Sequence, residues 1–346
     1  MGQLAVNRYS DSTDIDELLA EHGVELAGQS VDLGICSFML QSNTSDFSGY
    51  DYFARLDTER APEYRLDCVD LDVKAIDSGA LDAVSDRTFR AKRFATGFYL
   101  THHYGAPAWI ATRGSRTTIF GRRLEKIVWT YYVKQLLTNL AADRGLLHLK
   151  GAGFVGPDDK ATLLFGRGGA GKTVFLAQAC MAGMSFLTNT HVVIDGARAV
   201  GVPSALRVRD DACFGRIIRS CRLQQHLQSD EYVLNPGDAF PDIVGSATVK
   251  NLCIIDYRSD RRPGIRRLEA ETFFHFLDQF AFPPSTYGLK DDLLAHVDGD
   301  LDRYVEVYSN MKEAMRHLVT HADLYLVNVD MMDPSVRAEA LGVLHS

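Results

Sequence analysis

The chain has no Cys-x-x-Cys pair, no apolar run approaching the roughly 18 residues that span a bilayer, and no basic-then-apolar leader ahead of a cleavage site. Each absence removes a class. Cys36, Cys68, Cys180, Cys213, Cys221 and Cys253 stand singly, which suits neither a zinc site nor a disulfide framework and predicts reduced packing residues in a cytoplasmic protein. Low-complexity segments and internal repeats are missing too, so a solenoid is not expected. Nor is there an excess of positive charge. Lys and Arg number 37 against 45 Asp and Glu, a net charge of −8 that argues against nucleic acid or an anionic membrane as a general partner. Any anion site must be local. What remains is a chain of 346 residues with 46% hydrophobic and 24% charged residues, enough for a large core and for about two domains.

One stretch organises the rest. Leu163 to Val174 reads Leu-Leu-Phe-Gly-Arg-Gly-Gly-Ala-Gly-Lys-Thr-Val, and Gly166 to Thr173 fits G-x-x-x-x-G-K-[ST] without substitution. The apolar strand Ala161 to Phe165 leads in, and Val174 to Ala179 opens a helix. Such a loop turns backbone N–H groups inward around a phosphate, and the helix N-terminus adds partial positive charge. The segment predicted to cradle a nucleotide is therefore Gly166, Arg167, Gly168, Gly169, Ala170, Gly171, Lys172 and Thr173. Lys172 is expected on the β- and γ-phosphates, and the Thr173 hydroxyl on Mg²⁺.

Taken in order, the chain opens with an amphipathic stretch, Asp14 to His22, stopped by Gly23. Short candidate strands follow at Leu33 to Leu40, Tyr64 to Leu71, Arg93 to Leu100, Ala108 to Thr112 and Thr117 to Phe120. His102, His103 and Trp109 lie among them and read as packing or surface residues. A long helix is predicted over Arg122 to Arg144, and then a strand, Leu146 to Val155, that turns at Gly156-Pro157 into the loop strand. This hairpin would put His148 one strand from the phosphates. Beyond the loop helix, Met184 to Gly196 reads as strand, break, strand, with another short strand at Ala199 to Val202. Phe214 to Leu227 reads as helix and Tyr232 to Phe240 as loop. Asn251 to Asp256 is an apolar strand ending in an acid, a candidate metal ligand. Arg258, Arg261, Arg262, Arg266 and Arg267 crowd the next turn, either as a solvated loop or as a phosphate clamp. Arg207 and Arg209 share one face of an extended piece. Helices at Glu269 to Phe282, Leu301 to Val319 and Pro334 to Leu344, with a strand at Leu324 to Val329, complete the chain.

Helix, His-bearing hairpin, phosphate loop, loop helix and the Leu187 to Ile194 strand together resemble the catalytic domain of HPr kinase/phosphorylase and its kinase-like relatives, over about residues 146–209. The resemblance implies an α/β fold in which a P-loop kinase-like core of the HPr kinase type, 122–346, follows a β-rich N-terminal domain, 1–121. It also implies ATP and Mg²⁺ as cofactors and a homo-oligomer as the assembly. Its active-site histidine matches His148. The family's two aspartates are replaced by Asn189 and Thr190, with His191 next. Three repairs stay open. Asp195 or Asp256 supplies the metal acid, His191 or His148 supplies the base, or transfer has been lost. The candidate catalytic residues are thus His148, His191 and Lys172, and the candidate metal ligands Thr173, Asp256 and Asn189. The family's glycine- and arginine-containing signature loop is not recognisable, so its protein substrate is not carried over.

Two classes of function follow as expectations. The first is a kinase that phosphorylates an oxygen on a small metabolite or biosynthetic intermediate, anionic if the arginine-bearing segments bind it, or in a variant a peptide Ser or Thr. The rival is a nucleotide-binding regulatory module without transfer.

Overall fold

A computed structural model of the chain describes residues 13–44, 60–89, 108–122, 124–225 and 230–345. It is a mixed α/β protein whose two compact units divide in sequence between Lys134 and Gln135. Expectations at Arg93 to Leu100, His102, His103 and part of Phe214 to Leu227 fall outside the described residues.

The first unit is built on strands β1 (Ala27–Asp32), β2 (Ser37–Ser42), β3 (Tyr64–Asp70), β4 (Arg87–Phe89), β5 (Ala108–Arg113) and β6 (Arg116–Gly121), in the spatial order β1-β2-β3-β6-β5-β4. Helices Thr13–Glu21 and Ser78–Val84 place Ile15, Leu18, Leu19 and Leu81 against Val69, Ala111 and Phe120 of this sheet. Leu33 to Leu40 is not one strand. The amide of Gly34 donates to the Asp32 carboxylate at 2.7 Å and Gly34 sits at φ 80°, so the chain reverses there and β1 pairs antiparallel with β2.

The second unit holds a nine-stranded mixed sheet. Its strands are β7 (Leu147–Lys150), β8 (Ala152–Val155), β9 (Lys160–Phe165), β10 (Ser185–Thr188), β11 (His191–Asp195), β12 (Arg198–Gly201), and, after a separate two-stranded ribbon of β13 (Leu206–Val208) and β14 (Tyr232–Leu234), β15 (Ser246–Ile255), β16 (Gly264–Arg267) and β17 (Asp323–Asn328). The order is β10-β8-β9-β15-β12-β11-β7, with β17 pairing β15 and β16. β15 runs parallel to both β9 and β17. Side chains alternate along β9 as a pleated strand requires, and both faces are apolar. Leu163 and Phe165 enter a core with Phe273, Leu277, Met311 and Met315, while Leu164 enters the opposite core with Phe175, Leu176, Ile217 and Leu341. Helices thus cover the sheet on both sides.

Several sequence expectations change here. Leu146 to Val155 is two strands that part at Gly151. A β-carbon at Gly151 would lie 2.9 Å from the Phe165 ring, so the bare backbone lets that ring pack in the gap. β8 makes the antiparallel hairpin with β9, whereas β7 pairs with β11. His148 is therefore not on the strand next to the loop strand. The long helix includes a π-helical segment, Val128–Tyr132, between Leu124–Ile127 and Val133–Arg144. Helix Gly215–Ser220 is shorter than expected, because Arg222 takes φ 52° just beyond its end. Tyr232 to Phe240 contains β14 and the helical turn Pro236–Ala239 rather than loop alone, and the arginine-rich segment ends in β16, antiparallel to β17.

Buried Asn251 fastens the centre of the sheet. At the register shift in β15 its side-chain amide donates to Thr162 Oγ1 on β9 (3.0 Å) and to the carbonyl of Leu344 in helix Pro334–His345 (2.7 Å). Removing it strands a buried carbonyl. Asn251→Ala should cost about 1–3 kcal/mol in denaturant unfolding. Helix Pro334–His345 should be the first to lose amide protection in hydrogen exchange, and unchanged protection there would count against the clasp.

Candidate functional site

The glycine loop leaves β9 at Gly166 and enters helix Lys172–Met181. Gly166, Gly169 and Gly171 adopt φ of 153°, 77° and 92°, conformations that side chains resist. Gly166 is also pressed against the neighbouring parallel strand, where a β-carbon would sit 2.6 Å from the Ile255 carbonyl oxygen. The Tyr257 amide donates to the Ala170 carbonyl at 3.4 Å, so the end of β15 borders the loop. Arg167, Gly168 and Gly169 are exposed.

Lys172 turns back over the loop, its ammonium donating to the carbonyls of Gly166 (2.8 Å) and Arg167 (2.9 Å). Burial, and then the positive charge of Lys150, lower its pKa to about 8. Lys150 is itself lowered by burial. Its ammonium stands 5.4 Å over the Tyr287 ring, and that ring lies 6.2 Å from the ring of His191. The Thr173 hydroxyl donates to the Asn189 side-chain oxygen at 3.5 Å, which brings two of the three predicted metal ligands together. As hard oxygen donors they fit the protein side of a Mg²⁺ site. Asp256, the third, follows β15 directly, and its carboxylate accepts from Arg261 at 3.2 Å. Among the described residues no group of three or more His, Cys, Asp or Glu is arranged to hold a metal ion.

His148 and His191 come together from β7 and β11. His148 Nε2 and His191 Nδ1 are 3.0 Å apart, and His148 Nδ1 is 3.0 Å from Thr138 Oγ1. Both rings are fully buried. The pair ties β7 to β11 directly beside Lys150, because Lys150 faces His191 in the strand register. The arginines are mostly committed to carboxylates. Arg207 and Arg209 meet Glu231, Arg209 also meets Asp230, Arg258 meets Asp260, and Arg267 meets Asp323. Asn328 pins the Arg258–Arg262 turn through the Arg258 amide (2.7 Å) and the Arg262 carbonyl (3.1 Å).

Sequence reasoning passed over Thr138, Lys150 and Tyr287. A signal for Lys150 was present. His148 and Lys150 are two apart in a strand and so share a face. Tyr287 lies 139 positions after His148 in number but only two ring contacts away in space, and periodicity carries no such information. All six cysteines are free thiols, five of them buried, and burial pushes Cys180 up to about 12. No helix among the described residues is long and apolar enough to cross a membrane. Compared with known proteins, the chain matches no protein-family model and no curated sequence.

Two predictions follow from this geometry. Gly166→Ala must find room against the Ile255 carbonyl in a backbone conformation already costly for a side chain. It should lose about 1–3 kcal/mol of stability and any anion affinity of the loop, measured by thermal unfolding with and without tripolyphosphate. An equal anion-induced shift in the variant would refute the loop's role. Lys172, with its pKa lowered to about 8, is partly neutral just above that pH. A polyanion favours the charged form, so binding at pH 8.5 should take up protons, seen as a buffer-dependent heat in calorimetry, and affinity should fall as pH rises through that range. The sign for stability is opposite. A lowered lysine disfavours the protonated fold, so this group's contribution improves as pH rises from about 8 toward its ordinary value near 10.5.

Proposed function

We propose that the second unit is an ATP- and Mg²⁺-dependent phosphotransferase with a P-loop kinase-like core of the HPr kinase type, acting on an oxygen of a small acceptor. The observation that supports it best is the loop itself. An uninterrupted G-x-x-x-x-G-K-[ST] segment joins a central strand to a helix, wraps against the parallel neighbour β15, and sets Thr173 beside Asn189. In this reading the loop amides and Lys172 hold the nucleotide phosphates, and Thr173 and Asn189 face the cation that accompanies them. The γ-phosphorus loses its bond to the leaving oxygen as it gains one to the acceptor oxygen. The acceptor's proton passes to His191, and the bond to His148 shares the resulting charge. Most of the rate would come from positioning and charge neutralisation, which phosphoryl transfer chiefly needs.

A second reading has its own support. Asn189 carries no charge, Asp256 is held by Arg261, and both histidines are buried, which together suit a nucleotide-binding regulatory module without transfer. Phosphorus NMR of the protein with ATP, Mg²⁺ and pooled hydroxylated and phosphorylated metabolites separates the two. A new phosphate ester or anhydride signal is expected only when acceptors are present, and Lys172→Ala should abolish it. His191→Gln should slow its appearance about a hundredfold while nucleotide affinity stays within about twofold. ATP that is bound but unchanged across the pool would favour the regulatory module, and free phosphate at the same rate with or without acceptor would indicate a hydrolase instead.

A further inference from the structure

Lys150 is placed by the fold at the glycine loop and not merely near it in sequence. Its own amide donates to the Ala281 carbonyl at 2.7 Å, and the amide of Gly151 donates to the Thr190 carbonyl at 3.0 Å. On one side, then, it is held against the turn Asn189-Thr190-His191, whose first residue reaches Thr173. On the other, Gly151 abuts the ring of Phe165, the residue immediately before Gly166. Both boundaries of the loop site meet at this position. The side chain is half-buried, with its ammonium over the Tyr287 ring, and that ring also neighbours the His191 ring at 6.2 Å.

Charge makes the position informative. Lys150 has no ion pair among the described residues, whereas Arg207, Arg209, Arg258, Arg261 and Arg267 each have one. A half-buried ammonium without a counter-charge is costly, and a second ammonium close by raises the cost. Lys172 brings the second charge from the loop side, where its ammonium turns back onto the Gly166 and Arg167 carbonyls. An anion with several charges between the two would relieve both. The face of the Tyr287 ring attracts the Lys150 ammonium without neutralising its charge.

We propose that Lys150 is a second phosphate-contacting cation of this site, holding the terminal phosphoryl group of a nucleoside triphosphate from the β7–β11 side while Lys172 holds the same chain from the loop. The inference rests on the phosphotransferase reading. It adds a specificity, since a nucleoside diphosphate ends short of Lys150 and a triphosphate reaches it. The site then senses whether the transferable group is present.

Calorimetry with Mg²⁺-ATP and Mg²⁺-ADP on wild type, Lys150→Met and Lys150→Arg tests it. Methionine keeps the apolar stem against Tyr287 and drops the charge. Lys150→Met should bind ATP about tenfold or more weakly, with ADP affinity within about twofold of wild type, and Lys150→Arg should recover most of the difference. Equal affinities in wild type and Lys150→Met, or an equal loss for both nucleotides, would overturn the assignment. Because the unliganded variant no longer buries an ammonium, its melting temperature should not fall. Should it fall, Lys150→Gln replaces Lys150→Met in the calorimetry, and thermal shifts of Lys150→Gln and Lys150→Arg in inorganic tripolyphosphate and pyrophosphate give the same discrimination. Wild type that binds neither nucleotide would remove the phosphotransferase reading itself, whereas wild type that binds both with Lys150→Met unaltered would remove only this inference.

Discussion

The approach of Gly166 to the Ile255 carbonyl is the constraint on which the second unit turns. β9 and β15 are parallel neighbours, and register between parallel strands fixes where both end. Here they end together, so the loop that leaves β9 must pass the last carbonyls of β15 with no side chain at its first position. From that contact the rest follows in sequence. Tyr257 closes on Ala170, the chain swings into helix Lys172–Met181, and Thr173 arrives opposite Asn189 in the turn between β10 and β11. Asn251 holds the same pair of strands in register from within, which couples the C-terminal helix to the site through two hydrogen bonds.

Local charge in this unit runs against the average. A protein with net charge −8 gathers two half-buried lysines at one loop, yet Arg207, Arg209, Arg258, Arg261 and Arg267 are matched with carboxylates. Surface pairs of that kind contribute little to stability, and they leave little guanidinium charge for an anionic ligand. The lysines differ. Removed from water and close to one another, they are destabilising in the folded protein, and a fold keeps such a feature where a ligand offsets it. That contrast, rather than the number of basic residues, supports the proposed anion site at the loop and weakens the idea of a phosphate clamp built from the arginine-rich turn. Asn328 further restrains that turn, so it is less suited to open and close as a lid.

How much of this was legible depended on the range of the interaction concerned. The loop, its strand and its helix are written in twelve consecutive residues, and each feature of the motif is local. The neighbourhood of Asn189 and Thr173 was legible only by resemblance, because 16 positions separate them and a strand exchange intervenes. Gly151 was misread for a physical reason. An apolar run from Leu146 to Val155 has the pattern of one strand, and only the Phe165 ring, supplied from another strand, shows why it divides. The division moves His148 away from the loop strand and toward His191. Tyr287 lay beyond reach, since a tyrosine at the end of a helical turn after two prolines has no pattern that points to a ring contact with β11.

The two histidines show most clearly what burial does to a candidate base. A lone imidazole facing solvent would titrate near neutrality and be available to any acceptor. Two imidazoles sharing one hydrogen bond inside a sheet behave as a unit, because a proton gained by one changes the donor role of the other, and Thr138 extends the chain by a further hydroxyl. Such a unit is well suited to fix the β7–β11 pairing that carries Lys150 and Asn189 into place, even before any proton moves. Positioning and proton transfer are then not rival roles for His191. The hydrogen bond that orients its ring toward Tyr287 is the same bond that would spread an acquired charge, so the geometry that holds the site together is also the geometry that a base at this position requires.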